Sequence, residues 1–308
     1  GGMSGNISIS GSAQVTAGGG WDGAGIGSGE DGNMSGTITI DGNAQVTAWS
    51  EDSGAGIGAG ANSTVSGTIT IGGSAQVTAG SNDDGAGIGA GEDGSIAGKG
   101  KIIIRNNAKV TAIGENEGAG IGAGENKEMD GLIIIQDNAQ VTAIAGDRAA
   151  AIGSDNKNDM TGTILILGNA RITTGILNDD DDVNFDYNTK EIEYTLDTDA
   201  IGRIGDGQGS NHESGNGHYV IGSDVTINGI SGSDIEKLKQ YVNMRLSGEN
   251  HDGEPENLTK LDIRSENGKF TVSASGEGKV EKILYDGSET VPTAPGTYLV
   301  TCVVRFGE

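Results

Sequence analysis

The sequence predicts an all-β protein whose main part is a single-stranded, right-handed parallel β-helix. Three observations support this fold class: a motif that recurs about every 31 residues, an alternation of aliphatic and polar residues within each copy, and a composition rich in glycine and poor in aromatics. Glycine accounts for 57 of the 308 residues, whereas Phe, Trp and Tyr together make up 4%. Such a chain lacks the side chains for a thick core, but it can form a narrow tube of stacked aliphatic residues.

The recurring unit is clearest in residues 36–60, GTITIDGNAQVTAWSEDSGAGIGAG. Six copies follow one another at spacings of 31, 31, 33, 31 and 31 residues. They begin at Gly5, Gly36, Gly67, Gly100, Gly131 and Gly162. Repeats of this length form solenoids or arrays in which each unit packs against its neighbours. We call each copy a coil.

Each coil contains three short segments in which apolar residues alternate with polar ones. In the second coil, Ile38 and Ile40 define the first segment, Val46 the second and Ile57 the third. Alternation at period two is typical of strands with β-branched residues pointing inward. No coil shows a 3.6-residue period of helical length, which argues against leucine-rich, ankyrin and tetratricopeptide repeats. Three strands joined by three bends describe one turn of a parallel β-helix, for which right-handed crossovers are the rule.

The sixth coil is interrupted before its third strand. About 18 extra residues precede Ala200-Ile201-Gly202, which we align with Ala151-Ile152-Gly153. Residues 190–196 alternate well, so the insertion should form one or two strands. An irregular last coil then follows, and we predict that the β-helix occupies residues 1–232.

The chain after residue 232 changes character twice. Ser233 and Glu236 form a capping box, and the apolar spacing that follows predicts a helix over 234–246 that covers the end of the coil stack. We therefore assign residues 233–248 to a capping helix and the polar residues 249–256 to a linker. Four candidate strands in residues 257–308 predict a small β-sandwich-like module, which is short for an immunoglobulin-type domain and could be truncated.

The charge balance excludes several classes of partner. Asp and Glu number 44 against 19 Lys and Arg, which gives a net charge of −25. Nucleic-acid binding requires basic side chains, so we expect no nucleic-acid partner. No apolar run approaches the roughly 20 residues of a membrane-spanning helix, so we expect no membrane insertion in this segment, and we see no leader peptide at its start. The sequence does not indicate an oligomeric state.

The segments GTITI, AQVTA and GAGIGAG resemble the repeats of large surface proteins of Firmicutes and related gut bacteria. This resemblance covers residues 5–175 well and residues 200–230 loosely. It implies a right-handed parallel β-helix of the adhesin type, secreted or attached to a bacterial cell surface. The tail YDGSETVPTAPGTYLVTCVV is similar to the end of a bacterial Ig-like (MBG-like) module. Its matching residues are Tyr285, Asp286, Gly287, Pro292, Pro295, Gly296, Thr297, Tyr298 and Val300.

Acidic residues flank the third strand in several coils and are candidate cation ligands. Stacked carboxylates repel one another, and a Ca²⁺ ion would relieve that repulsion with oxygen ligands from the bends. The alternative is that they are solvated turn residues, and the chain lacks the glycine-rich nonapeptide of calcium-binding rolls. We predict no cofactor and leave calcium open as the one candidate ion. The candidate ligands are Asp22, Asp52, Asp84, Glu92, Asp93, Asp180 and Asp182.

The outward positions offer candidate carbohydrate contacts. Stacked Thr and Gln side chains of the second strand would make a flat polar face, although β-propensity on a solvated surface is the favoured explanation for them. Two tryptophans at neighbouring bends could stack on sugar rings or simply pack against the bends. The candidate ligand-binding residues are Trp21, Trp49, Thr47, Thr78, Gln45 and Gln76.

The near-identity of the coils argues against a catalytic site. A site needs a cluster that differs from its surroundings, and strict repetition provides none. We therefore predict no catalytic residue and no enzyme, with a polysaccharide lyase or hydrolase as the remote alternative. The first hypothesis is a secreted or cell-surface structural or adhesion protein that forms a rigid stalk. The second is a carbohydrate-binding β-helix, calcium-assisted in one version. Host or cell-wall glycans and other surface proteins are the expected partners.

Overall fold

The structure, a computed structural model, confirms the all-β fold class: parallel strands stack into a β-solenoid. Asp180 and Asp182 lie outside the described residues, so their prediction is untested. The structure describes residues 1–146, 149–155, 160–178, 184–186, 188–189, 191–197, 200–207, 217–238, 240–243, 260–266, 269–275, 278–285 and 300–306.

Three sheets run along the solenoid, and each coil contributes one strand to each sheet. The first sheet contains β1 (Asn6–Ile9), β4 (Thr37–Ile40), β7 (Thr68–Ile71), β10 (Lys101–Ile104), β13 (Leu132–Ile135), β16 (Thr163–Ile166) and β21 (His218–Ile221). The second contains β2 (Gln14–Gly18), β5 (Gln45–Ser50), β8 (Gln76–Ser81), β11 (Lys109–Ile113), β14 (Gln140–Ala145), β17 (Arg171–Ile176), β22 (Thr226–Ile227) and β23 (Ile230–Ser231). The third contains β3 (Ile26–Gly27), β6 (Ile57–Gly58), β9 (Ile88–Gly89), β12 (Ile121–Gly122), β15 (Ile152–Gly153), β20 (Ile204–Gly205) and β24 (Val242–Asn243).

The register places each residue beside its counterpart in the next coil. Ile38 pairs with both Ile7 and Ile69, and Val46 pairs with Val77. These aliphatic side chains point inward and are buried from the second coil onward. The core is therefore the narrow tube that the composition allows.

A fourth buried column, which the sequence did not reveal, runs through the bend before the first sheet. Met3, Met34, Val65, Ile96 and Met129 are joined by single parallel bridges. From Met34 to Met129 these side chains are fully buried. The column escapes pattern analysis because its members differ in type and each stands alone among glycine and polar residues.

Neighbouring coils approach closely at the third sheet because its strands carry glycine. Gly58 has φ 142°, a backbone conformation that L side chains rarely adopt. A Cβ built there would lie only 1.9 Å from the carbonyl oxygen of Gly89 in the next coil. The glycine of the GAGIG motif is thus needed both for its conformation and for the approach of the next coil.

The insertion in the sixth coil is a two-stranded antiparallel hairpin, which confirms the predicted strands. It comprises β18 (Asn184–Asp186) and β19 (Glu191–Glu193). The predicted return to the solenoid is wrong by three residues, because Ile152 pairs with Ile204 rather than with Ile201. Ile201 remains 39% exposed, whereas Ile204 is fully buried and precedes a glycine with φ 115°.

The predicted helix over 234–246 is largely wrong. A single helical turn, α1 (Ile235–Leu238), is followed by β24, which joins the third sheet. Leu238 and Val242 are both buried, so their spacing of four mimics a helix although they belong to different elements. The open edge of β20 explains the difference: its Ile204 amide donates to the Tyr241 carbonyl (2.7 Å), a bond that a continued helix would not offer.

The four predicted strands near the C-terminus are confirmed as two antiparallel pairs. The first pair is β25 (Lys260–Glu266) with β26 (Lys269–Ser275). The second pair is β27 (Gly278–Tyr285) with β28 (Val300–Phe306). Their assignment to an Ig-like module stays a prediction.

Candidate functional sites

The polar face predicted on the second sheet is present in register. Gln45 pairs with Gln76, and Thr47 pairs with Thr78. The glutamines are exposed and the threonines half-buried, as outward positions of stacked strands should be. Adjacent rows are one strand spacing apart, about 4.8 Å, so the face offers a regular grid of hydroxyl and amide groups.

The two tryptophans have different surroundings. Trp21 is 76% exposed in the bend after β2. Trp49 lies in β5, and its ring stacks on Phe185 of the inserted hairpin with centroids 3.4 Å apart and planes at 9°. One face of the Trp49 ring is therefore covered by the protein itself, whereas Trp21 is open to a ligand.

The bends around the third sheet bring acidic residues together because that sheet has strands of only two residues. The chain enters and leaves each short strand at nearly the same place, and the two sides are joined across coils. The Glu125 amide donates to the Asp84 carbonyl (2.9 Å), and the Glu92 amide donates to the Ser53 carbonyl (2.8 Å). Residues before the strand in one coil thus meet residues after the strand in the next.

Asp84, Glu92 and Glu125 form the candidate metal centre. Among the described residues they are the one group of three or more potential ligands, with a carboxylate oxygen from each lying within 4.8 Å of the others. All three side chains are half-buried. In the sequence Asp84 precedes the third strand and Glu92 follows it, and the structure brings the two sides of the strand together here.

The electrostatics of this cluster favour a bound proton. Burial, followed by the neighbouring carboxylates of Asp83 and Glu125, raises the pKa of Asp84 to about 7. Burial also raises the pKa of Asp83, and its side-chain contact with Asp52 adds to that shift. Removing charge from this bend, by protonation or by a cation, would therefore relieve repulsion.

The geometry fits a hard divalent cation. Calcium binds oxygen ligands at about 2.3–2.6 Å, so two ligands of one ion lie at most roughly 5 Å apart, and the three carboxylate oxygens, all within 4.8 Å of one another, meet that requirement. Three carboxylates would supply part of the six to eight oxygens that calcium takes. Since Asp84 must lose its proton to bind, any affinity should increase with pH.

The other predicted ligands occupy different positions. Asp22 is the counterpart of Asp84 in the first coil, but the residue that faces it from the next coil is Ala61, whose amide donates to the Asp22 carbonyl (2.8 Å). Asp52 lies beside Asp83 rather than level with Asp84. Asp93 has φ 51°, so its place in the turn is a left-handed position that Asp and Asn tolerate.

Two members of this region were not among the predicted ligands. Glu125 follows the third strand of the fourth coil, and Asp83, rather than the adjacent Asp84, is the counterpart of Asp52. The pairing of Ser50 with Ser81 gives the correct alignment. Counting two residues forward from the Ser at the end of the second strand identifies Asp83 as the counterpart of Asp52.

Two further carboxylates are buried for a structural reason. Asp155 accepts the amide of Asn126, and Asp206 accepts the amide of Met160, each at 2.5 Å. Asp155 is fully buried and Asp206 is 6% exposed. These carboxylates satisfy backbone amides in the bends.

Comparison of the chain with protein-family models, with curated proteins and with solved structures finds no match. Among the described residues, no helix is long and apolar enough to cross a membrane.

Proposed function

We propose that this protein is a non-catalytic structural or adhesion protein whose β-solenoid acts as a rigid stalk on the outside of a cell. The observation that supports this proposal is the regular register: in all three sheets each inward residue pairs with its counterpart in the next coil, as Ile38 does with Ile69, Val46 with Val77 and Ile57 with Ile88. A stack with this regularity has a length set by the number of coils and little freedom to bend between them.

The charge supports the same proposal. A net charge of −25 makes neighbouring molecules repel one another, which suits a solvated extracellular spacer. The inward positions differ little from coil to coil, and we assign the one distinctive group of carboxylates among the described residues, Asp84, Glu92 and Glu125, to a cation rather than to acid–base chemistry. No catalytic role is therefore proposed for any residue.

A test removes one whole coil. Deletion of residues 36–66 should keep the β fold and shorten the solenoid by one strand spacing, about 4.8 Å. Spin labels at Ser12 and Asp224, in a Cys302→Ser background, would measure the distance and the width of its distribution. A matched deletion of residues 36–50 removes part of a coil and should destroy the register. A broad distance distribution in the parent protein would contradict a rigid stalk.

Carbohydrate binding is the second candidate, and the exposure of Trp21 favours it. An indole that is 76% exposed beside a bend can stack on a sugar ring, and the Gln and Thr grid can donate and accept hydrogen bonds. Cell-wall or host glycans would be the ligands, and calcium at the Asp84 cluster could stiffen the nearby bends.

A glycan array with and without calcium tests this candidate. Trp21→Ala should abolish binding at the bend, Gln45→Ala with Gln76→Ala should weaken binding at the face, and Ser12→Ala serves as the control. Equal signal on all glycans for every variant would eliminate carbohydrate binding and leave the stalk. Turnover of polygalacturonate by the parent protein would overturn both and favour the lyase or hydrolase alternative.

A further inference from the structure

An apolar stripe follows the outward side of the second sheet. Trp49, Gly80, Ile113 and Ile144 are consecutive partners in the register, so they lie side by side across four coils. The alternation Val46 inward and Thr47 outward places this position on the outside of the tube. Ile113 and Ile144 are nevertheless fully buried, so another element covers them.

The covering element is the hairpin inserted in the sixth coil. Phe185 and Ile192 are directly opposite each other in β18 and β19, and both are buried. They form one hydrophobic cluster with Ile113, Ile144 and Leu177, against which Trp49 packs.

The glycines of the stripe are recesses for the hairpin. A Cβ at Gly80 would lie 3.1 Å from Cδ1 of Ile192, and its nearest atom on the solenoid would be 3.8 Å away. Gly175 pairs with Ile144 and continues the stripe into the sixth coil, and a Cβ there would lie 3.1 Å from Cδ2 of Leu196. Since both glycines have ordinary φ angles, their role is to leave room for hairpin side chains.

The hairpin joins coils that are distant along the solenoid. It leaves the sixth coil at β17, and Leu177 bridges to Leu196 at its base. Its tip region reaches Trp49 of the second coil through the stacked Phe185 ring. Apart from the hairpin, the coils are held by strand pairing with adjacent coils. Arrays held only in that way open from one end in small steps.

We propose that the hairpin is a clasp that makes the second to sixth coils open as one cooperative unit. Opening the second coil requires Phe185 to leave Trp49, and the hairpin is anchored in the sixth coil. Local opening at one end therefore has to disrupt contacts that extend across the whole stripe. This inference concerns how the solenoid opens and does not depend on the proposed stalk function.

Two variants detach the clasp from opposite sides. Phe185→Ala removes the ring that stacks on Trp49, and Gly80→Leu fills the recess that Ile192 occupies. Tyr194→Ala is the control, because Tyr194 is an aromatic residue of the same hairpin that is 37% exposed. A Trp21→Phe background leaves Trp49 as the single indole, so its fluorescence reports whether the hairpin is docked.

Amide hydrogen exchange gives the decisive measurement. In the parent, amides of β5 in the second coil and β16 in the sixth should exchange through one common opening. In both variants, exchange in β5 should accelerate by about tenfold or more, the effect of losing an aromatic pair and its buried area, while β16 changes far less. Trp49 emission should shift to the red in the same variants and not in Tyr194→Ala.

Other outcomes would overturn the clasp. Unchanged exchange in β5 would mean that the hairpin does not hold the second coil. An equal acceleration in β5 and β16 would mean that the hairpin adds stability without coupling the coils. If Phe185→Ala does not fold, Gly80→Leu decides between these outcomes, because its added side chain meets the hairpin before it meets the solenoid.

Discussion

The repeated coils and the non-repetitive segment 177–243 bury apolar side chains and complete the sheets by different means. In the coils, each buried side chain packs on its own copy, as Val46 does on Val77. In the later segment, unlike elements close the stack: a hairpin over the outside, a short helical turn and the last strand β24. Each repeated coil therefore adds a similar amount of stability, whereas the non-repetitive elements cover an outer face and terminate the sheets.

The edge of the second sheet illustrates the second strategy. Asn228 and Gly229 have φ 49° and 78°, the left-handed conformations of a two-residue hairpin turn, and they reverse the chain so that β23 runs antiparallel to β22. The reversal ends the parallel stacking of this sheet. The sheet therefore ends in an edge strand of only two residues, Ile230–Ser231, which offers little backbone for another strand to pair with.

The largest effect should come from the glycine wall of the repeated coils. Gly89→Ala places a Cβ 1.9 Å from the Gly122 carbonyl oxygen at φ 146°, so at least one coil has to shift. We expect a loss of more than about 4 kcal/mol in the free energy of unfolding, measured by chemical denaturation. Gly20→Ala is the control, because its Cβ would meet nothing within 4 Å. Similar stability of both variants would show that the wall tolerates side chains.

A smaller loss of stability should distinguish substitutions in the core of the coils from substitutions in the non-repetitive segment. Ile69→Ala opens a cavity between identical neighbours in adjacent coils and should cost about 2–5 kcal/mol in the free energy of unfolding. Ile201→Ala, at a residue that is 39% exposed, should cost less than about 1 kcal/mol. Equal losses in thermal or chemical denaturation would contradict the contrast between the two regions.

The smallest effect should come from the acidic cluster and should depend on pH. The pKa of Asp84 is about 7 in the folded protein and 3.8 in the absence of interactions, so the folded state holds the proton more tightly. The stability that the protonated group contributes is therefore present at low pH and is lost as pH rises toward 7. Since Asp84 is half-buried and screened by solvent, we expect about 1 kcal/mol less stability at pH 8 than at pH 5 from this group.

Asp84→Asn tests that dependence. The variant should unfold at a higher temperature than the parent at pH 8 and at nearly the same temperature at pH 5. Millimolar calcium should stabilise the parent at pH 8 and leave the variant unaffected if the cluster binds the ion. Asp22→Asn is the matched control, because Ala61 stands where the first coil would need a third carboxylate. If the unfolding temperature depended on pH identically in the parent and in Asp84→Asn, the cluster would not be the source of the pH dependence.

The sequence predicted those parts of the fold that depend on local alternation. Ile38, Ile40 and Val46 alternate with polar residues, so their strands could be found without knowledge of the neighbours. The helix was misjudged because Leu238 and Val242 satisfy helical spacing while the decisive factor, the unpaired edge of β20, lies far away in the chain. The hairpin was predicted as strands, but its docking on Trp49 depends on contacts between distant coils.

The acidic cluster could be predicted only in part for a related reason. Asp84, Glu92 and Asp22 are visible as acidic residues near the third strand, but which of them meet depends on how the two sides of the bend are paired. Glu125 reaches Asp84 through a hydrogen bond between coils, and such pairings have no signature in a single copy.

The extra two residues between the third and fourth coils have a consequence for folding. Thr68 pairs with Lys101 across a spacing of 33, and the added length lies in the bend that contains Gly98 and Lys99. Near-identical coils can associate with the wrong neighbour at little energetic cost, which creates kinetic traps of shifted register. A bend of unequal length and the single Trp49–Phe185 stack each fit only one alignment. We therefore expect these irregularities to disfavour shifted registers during folding, since an alignment displaced by one coil would misplace both features.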